Sequence, residues 1–471
     1  MKDRAFDRRI HEALSDEALR ANFRRAMGGF IERRALQFPD DEALRQRRDR
    51  AAAIRADSLD RLPELLRRLE QRLEANGIRV HWAEDADEAN ARIADLLAER
   101  GIDKVVKGKS MVTEEIGLNE YLAGEGVQVI ESDLGEFIIQ LAGEAPSHIV
   151  VPAVHKNRRQ IAELFRRHLH GVEPTEDVDE LTAIARRELR HHFATAGAGI
   201  SGVNFLVAES GTLCLIENEG NGRMTTTLPP LHIAVTGIEK VIERLEDLAP
   251  LLDLLPKSAT GQPITTYVNL INGPRREEDL DGPREVHLVL IDNGRSRLQA
   301  RDDFVDTLRC IRCGACINHC PVFVQIGGHA YGHTYPGPIG LVLEPQRCGL
   351  EEAGGLLSAC TLCGRCGEVC PVEIPLPSLI SRLRQAAVEG AAQGEAPLPG
   401  QGALRRPMEA ALWTTWAWVH AHPRVYRGLS WLLTRLHGLA PRRLGGWTRY
   451  RSAPIPARYS LHERMRRRNG R

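Results

Sequence analysis

The sequence predicts a central α/β domain followed by a small cysteine-rich domain, with helical segments at both ends of the chain. Three observations predict it. Between residues 76 and 297, short β-rich runs alternate with helical stretches. Eight of the ten cysteines fall into two copies of one tight pattern between Cys310 and Pro371. The flanking segments place apolar residues at helical spacing within dense charge.

With 471 residues the chain has length for two to four domains. Residues 1–75 read as helices, with Ser15-Asp16 and Asp40-Asp41 as N-caps. This segment is too acidic for a mitochondrial transit peptide. Met1 to Arg34 is charged throughout, with no apolar core for a secretory signal. In residues 76–297 the expected strands are Lys104–Lys107, Val127–Ile130, His148–Val151, Phe205–Ala208, Leu213–Ile216, His232–Thr236, Tyr267–Ile271 and Val286–Asp292. Alternation with helices argues for a largely parallel sheet.

Residues 298–389 hold the cysteine domain. Cys310, Cys313, Cys316 and Cys320 precede Pro321, and Cys360, Cys363, Cys366 and Cys370 precede Pro371. Each run reads C-x2-C-x2-C-x3-C-P, the ligand run of a bacterial two-cluster ferredoxin. Three thiolates so spaced lie on a loop that wraps one face of an iron–sulfur cube, with loop amides turned to the sulfurs. In such pairs the fourth cysteine serves the other cluster. The expected sets are therefore Cys310, Cys313, Cys316 and Cys370 for one [4Fe-4S] centre, and Cys360, Cys363, Cys366 and Cys320 for the second. Zinc ribbons lack the triple run and the Cys-Pro ending, and disulfides need an oxidising compartment. Cys214, in an apolar run, and Cys348, in the connector, are not expected as ligands. His329 and His333 of the connector read as turn histidines on the solvent side. Arg312 and Arg365 lie inside the runs, where an exposed arginine is the default, although their charge could raise the cluster potentials.

Gly197-Ala198-Gly199-Ile200-Ser201-Gly202 matches G-x-G-x-x-G, but a helical run (Leu181 to Phe193) precedes it and a strand is expected after it. The dinucleotide fingerprint needs the reverse context. More informative are polar, glycine-rich segments beyond strand ends, where α/β sheets bind ligands. Glu217 to Thr227 offers Glu219, Asn221, Arg223 and Thr225, with Arg223 suited to a carboxylate or phosphate. Lys107-Gly108-Lys109-Ser110, between a strand and a helix, adds Lys109 and Ser110 as anion-binding candidates. Turns built on Asn and Gly for positive φ are the plainer alternative.

Residues 390–471 form a linker rich in Gly, Pro and Ala, then a basic tail. Lys plus Arg equals Asp plus Glu overall, which suggests no nucleic-acid partner. From Gln401 onward, however, 15 arginines face only Glu409 and Glu463, a net of +13. Five of six tryptophans (Trp413, Trp416, Trp418, Trp431, Trp447) are there too. Trp413, Trp416, Ala417 and His420, then Leu429, Leu432, Leu433 and Leu436, repeat at helical spacing. Packing on the cluster domain or on a partner subunit is the first expectation for this tail, and peripheral membrane contact the second. No run approaches the ~20 apolar residues that span a bilayer.

Several motifs together resemble the family of iron–sulfur subunits called lactate-utilization protein B. They are Gly108 to Asn119 (GKSMVTEEIGLN), Asn218 to Arg223 (NEGNGR), Leu290 to Ser296 (LIDNGRS), Gly327 to Gly332 (GGHAYG) and both cysteine runs in order. The resemblance implies a central domain with the fold of sugar-phosphate isomerases and CoA-transferases, an all-helical two-cluster ferredoxin domain, and a family-specific C-terminal region. It also implies two [4Fe-4S] clusters on the eight cysteines, and membership of a cytoplasmic three-subunit system oxidising L-lactate to pyruvate. It supplies neither catalytic residues nor an electron acceptor. The expected function is thus electron transfer. The rival readings are a ferredoxin-equipped enzyme with isomerase- or acyl-transfer-like chemistry in the central domain, and a redox adaptor for another dehydrogenase.

Overall fold

Four helices open the chain: α1 (Arg4–Ser15), α2 (Glu17–Gln37), α3 (Asp41–Asp60) and α4 (Leu62–Ala75). The structure, a computed structural model, describes residues 4–390, 397–439, 443, 448, 452–453 and 455–469. Asp16 and Asp40 are the caps that start α2 and α3: their carboxylates accept the amide of Leu19 and the amides of Glu42 and Ala43. Helix α4 buries Leu62, Leu65, Leu66, Leu69 and Leu73 along one stripe.

Ten strands follow: β1 (Ile78–Ala83), β2 (Lys104–Lys107), β3 (Gln128–Glu131), β4 (Ala198–Gly202), β5 (Phe205–Val207), β6 (Thr212–Glu217), β7 (Leu231–Gly237), β8 (Val241–Ile242), β9 (Tyr267–Ile271) and β10 (Glu285–Ile291). Six form a wholly parallel sheet in the order β1-β10-β7-β4-β2-β3. Its centre, β7, is buried at every residue, as befits a sheet covered on both faces. A second, mixed sheet, β8-β5-β6-β9, is built on the antiparallel β5–β6 hairpin.

Two expectations are corrected. His148–Val151 is not a strand. The amides of Val150 and Val151 turn back to His148 Nδ1, at 3.1 and 3.2 Å, and so are not free for a ladder. Conversely, the segment Gly197–Gly202 is not a loop; it contains β4, paired with both β7 and β2. Its glycines serve packing. A Cβ on Gly199 would stand 1.8 Å from the carbonyl oxygen of Thr225. Strands β1 and β8 went unexpected as well, the first half-exposed and the second only two residues long.

Residues Met1–Leu404 form one unit and Arg405–Arg471 another. Within the first, the N-terminal helices pack on the cysteine domain: Phe23 of α2 meets Phe323 edge-on, centroids 5.3 Å apart. The expected linker is only partly one. Residues 391–396 lie outside the described part, but Leu398 is buried and the Pro399 carbonyl accepts the Leu350 amide at 2.7 Å. In the second unit, helices Pro407–Ala421 and Pro423–Arg435 carry Trp413, Trp416, Trp418 and Trp431, each at least half exposed. Trp447 lies outside the described residues. Among the described residues, no helix is long and apolar enough to cross a membrane.

Candidate functional site

The two cysteine runs fold alike. In each, the residue before the second cysteine has positive φ (Arg312, 60°; Leu362, 55°), followed past that cysteine by a glycine with positive φ (Gly314, 75°; Gly364, 85°). This alternation curls the backbone so that amides face sulfur. Arg312 N donates to Cys310 Sγ at 3.4 Å, and Leu362 N to Cys360 Sγ at 3.3 Å. Beyond the second run, Ile374 N donates to Cys370 Sγ at 3.3 Å.

The runs interleave. The charges acting on the Cys313 thiol come chiefly from Cys370 and Cys310, whereas those acting on Cys320 come from Cys360 and Cys363. Cys320, Cys360, Cys363 and Cys366 also line one small cavity. Burial pushes the thiols of Cys366 and Cys370 up, to about 12 and about 11. Such thiols become thiolates only beside compensating cations and donors. The group formed by Cys310, Cys313, Cys316 and Cys370 has them. Arg48 Nε donates to the Cys370 carbonyl at 2.8 Å, Lys240 Nζ to that of Cys310 at 3.0 Å, and buried Arg55 to that of Leu308 at 3.1 Å. Cysteines gathered in fours, five of the eight buried, with amides turned to the sulfurs and cations behind, suit an anionic iron–sulfur cluster.

Arg312 is not the exposed arginine expected. Its guanidinium stacks 4.5 Å over the Tyr335 ring and stands 3.8 Å from Glu239. Arg365 is exposed, paired with Glu368 at 2.8 Å. His329 is exposed as expected, whereas His333 is largely buried, 3.9 Å from Glu344. Cys214 is fully buried on β6, and Cys348 Sγ donates to Glu344 at 3.6 Å.

Tyr335 joins the cysteine domain to the sheet. Its hydroxyl donates to Glu115 at 2.7 Å, and Glu115 also accepts from Asn293 at 2.6 Å and from Arg295 at 3.0 and 2.9 Å. Burial alone would raise the Glu115 carboxyl, but Arg295 holds it down to about 2. Arg295 bonds Glu239 too, at 2.6 Å. Residues from two separate motifs, Glu115 of one and Asn293 and Arg295 of the other, thus meet in one seam.

Beside this seam lies a cavity of about 530 Å³ at the carboxyl ends of the parallel strands, where α/β sheets hold ligands. Of the six candidate ligand residues, Lys109, Ser110, Glu219 and Asn221 line it. Arg223 does not. Its amide donates to Glu217 at 2.6 Å while its side chain is exposed. Thr225 is buried, its hydroxyl donating to the Asn221 carbonyl at 2.8 Å. Lys107 is fully buried between Glu131 and Glu114, at 2.8 and 3.1 Å, and Lys109 pairs with Asp133 at 3.3 Å. The cavity wall also includes Ser201, Lys240, Arg312 and Cys313, which sequence reasoning did not place there. Burial pushes the Lys240 ammonium down to about 7, against the pull of Glu239. One signal was legible: Glu239-Lys240 puts two charged residues into a largely apolar run from Leu231 to Ile242 whose only other polar side chains are His232 and Thr236.

The family profile for the LUD domain matches residues 66–291, that for a 4Fe-4S dicluster domain residues 306–374, and that for the C-terminal region of lactate utilisation protein B residues 382–470. Lactate utilization protein B of Oceanobacillus iheyensis is 40% identical over 466 residues, covering 97% of this chain and 95% of its own. The chain belongs to the lactate utilization protein B family. A second relative of that name, from Lysinibacillus sphaericus, is 39% identical over 98% of this chain and 97% of its own. The Escherichia coli K12 protein described as uncharacterized electron transport protein YkgF is 47% identical over 73% of this chain and 72% of its own. In family terms, the LUD domain contributes the strand ends of the cavity, and the iron–sulfur dicluster domain contributes Cys313 to its wall.

Proposed function

We propose that this chain is the iron–sulfur electron-transfer subunit of a cytoplasmic complex that oxidises L-lactate to pyruvate. The interleaving of the two cysteine runs carries the reading. Cys310, Cys313, Cys316 and Cys370 would hold one [4Fe-4S] cluster, and Cys360, Cys363, Cys366 and Cys320 the second. When bound, each accepts one electron, so two in series can relay the pair released by a 2-hydroxy acid. The protein's own part is to fix the loops. Arg48, Arg55 and Lys240 hold the carbonyls of Cys370, Leu308 and Cys310, and the Glu115–Arg295–Tyr335 seam fixes the first run against the sheet.

Relatives named for lactate utilization and for electron transport support the assignment. The strand-end cavity with Lys109, Ser110, Glu219 and Asn221 is the candidate ligand site, and Cys313 in its wall supports a link between ligand and first cluster. The partners would be the other subunits of the complex, docked in part by the arginine- and tryptophan-rich C-terminal unit. Membrane contact, if made there, would be peripheral.

The test is anaerobic reconstitution with the partner subunits, followed by electron paramagnetic resonance after L-lactate is added. Signals of reduced clusters are expected. Clusters that stay oxidised in the full complex overturn the assignment.

A further inference from the structure

At the end of the cavity formed by Ile311, Arg312 and Cys313, two basic side chains, Arg312 and Lys240, both line the wall. Their compensation is thin. Lys240 and Arg312 reach the same oxygen, Glu239 Oε1, only at 3.9 and 3.8 Å, while Arg295 takes the other oxygen at 2.6 Å. Arg312 Nε and Nη1 are buried and have no hydrogen-bond partner among the described residues. Unsatisfied buried donors are costly, so an acceptor brought within reach of this guanidinium gains from satisfying them. Lys240 spends one of its three N–H bonds on the Cys310 carbonyl.

The acids of the cavity do not cancel this charge. Asp133 is paired with Lys109 at 3.3 Å, and Glu217 accepts the amides of Gly222 and Arg223, each at 2.6 Å. Burial pushes the Glu219 carboxyl up, toward its neutral form. A hydroxyl partner is also at hand: Ser201 lines the cavity and is hydrogen-bonded to the buried His232 at 2.8 Å. At about 530 Å³ the space falls within the roughly 300–1,000 Å³ of ligand pockets, so a small acid enters with its hydration.

We infer that this cavity binds a small organic carboxylate of the 2-hydroxy- or 2-oxo-acid class, its carboxylate seated on Arg312 and Lys240 beside Cys313. The inference rests on the electron-transfer reading above and adds that the acid binds in this chain. Charge-assisted hydrogen bonds from a guanidinium and an ammonium are the strong contacts a carboxylate makes. The sequence pointed to Arg223 for this role; the fold assigns it to a residue inside the first cysteine run and one just beyond β7.

The experiment is calorimetric titration of oxamate, a non-oxidisable analogue of such acids, into the cluster-loaded full chain without partner subunits. Saturable binding is expected. Lys240→Met, and Asn221→Trp, which fills the cavity from outside the cysteine runs, should each weaken it at least about tenfold. Iron content is measured first; where Lys240→Met fails to load clusters, Asn221→Trp decides. No saturable binding to the unaltered chain, or unchanged affinity in Asn221→Trp, overturns the inference. Lactate-driven cluster reduction is a separate readout. Reduction without oxamate binding moves the acid to another subunit and leaves the relay intact, whereas oxamate binding without reduction keeps the site and removes the relay.

Discussion

Arg48 of α3 donates from Nε to the Cys370 carbonyl at 2.8 Å and from Nη2 to the Gly367 carbonyl at 3.3 Å, tying the N-terminal helices to the second cysteine run. A charged donor held by two carbonyls contributes more than a neutral one, and its removal leaves buried acceptors unpaired. Arg48→Met should therefore cost about 1–3 kcal/mol in urea unfolding and speed the loss of iron to a chelator. An unchanged midpoint with unchanged iron release would show that the helices are merely adjacent.

The interleaving makes a sharper claim. Cys370 lies in the second run by sequence but acts on the first-run thiols by position. Cys370→Ser should disturb the centre held by Cys310, Cys313 and Cys316 and spare the other; Cys320→Ser should do the reverse. Mössbauer or paramagnetic resonance spectra of the two variants check this, and a loss in each that follows sequence order rejects the crossed sets.

Gly199 carries a prediction that the motif around it obscures. An added Cβ would meet the Thr225 carbonyl oxygen at 1.8 Å and its carbon at 2.9 Å, both backbone atoms. Neither the strand nor the helix Asn221–Thr227 can give way cheaply, so Gly199→Ala should cost about 4 kcal/mol or more, in the exceptional range for one substitution. Gly197→Ala meets only the Ile102 side chain, at 2.9 Å, and should cost far less. Soluble yield and thermal unfolding of the pair decide. Equal tolerance would mean that the helix does not pack on β4 as described.

That same segment shows where sequence reading stops. Periodicity found β2, β6, β7, β9 and β10 because their alternating or continuous apolar residues report burial directly. It missed β4, whose glycines exist to admit a neighbouring backbone, since such a contact is long-range and leaves no local pattern. His148–Val151 erred in the opposite way: its composition suits a strand, but the His148 ring captures the amides. At the site, Lys109, Ser110, Glu219 and Asn221 were legible as polar residues at strand ends. Arg312 was not, because only the folded chain shows that a residue in a cysteine loop is covered by Tyr335 and Glu239.

His232 links the buried sheet to pH. It is fully buried, and desolvation, with a smaller contribution from His287, pushes its pKa from 6.5 down to about 4. Because the folded-state value is the lower one, between pH 6.5 and 4 the unfolded chain takes up a proton that the folded chain refuses. Stability from this group is complete above 6.5 and is lost as pH falls toward 4. Each pH unit across that window removes about 1.4 kcal/mol, so roughly 1 kcal/mol should go between pH 7 and 5.5. His148, His155 and His319 are depressed to about 4 as well and act in the same direction. Urea midpoints of the cluster-loaded protein should fall over this range, and His232→Asn, which keeps a polar partner for Ser201, should flatten the fall by His232's share. A variant whose profile parallels the parent's would show that His232 is solvated in the folded protein and titrates there as it does in the unfolded chain.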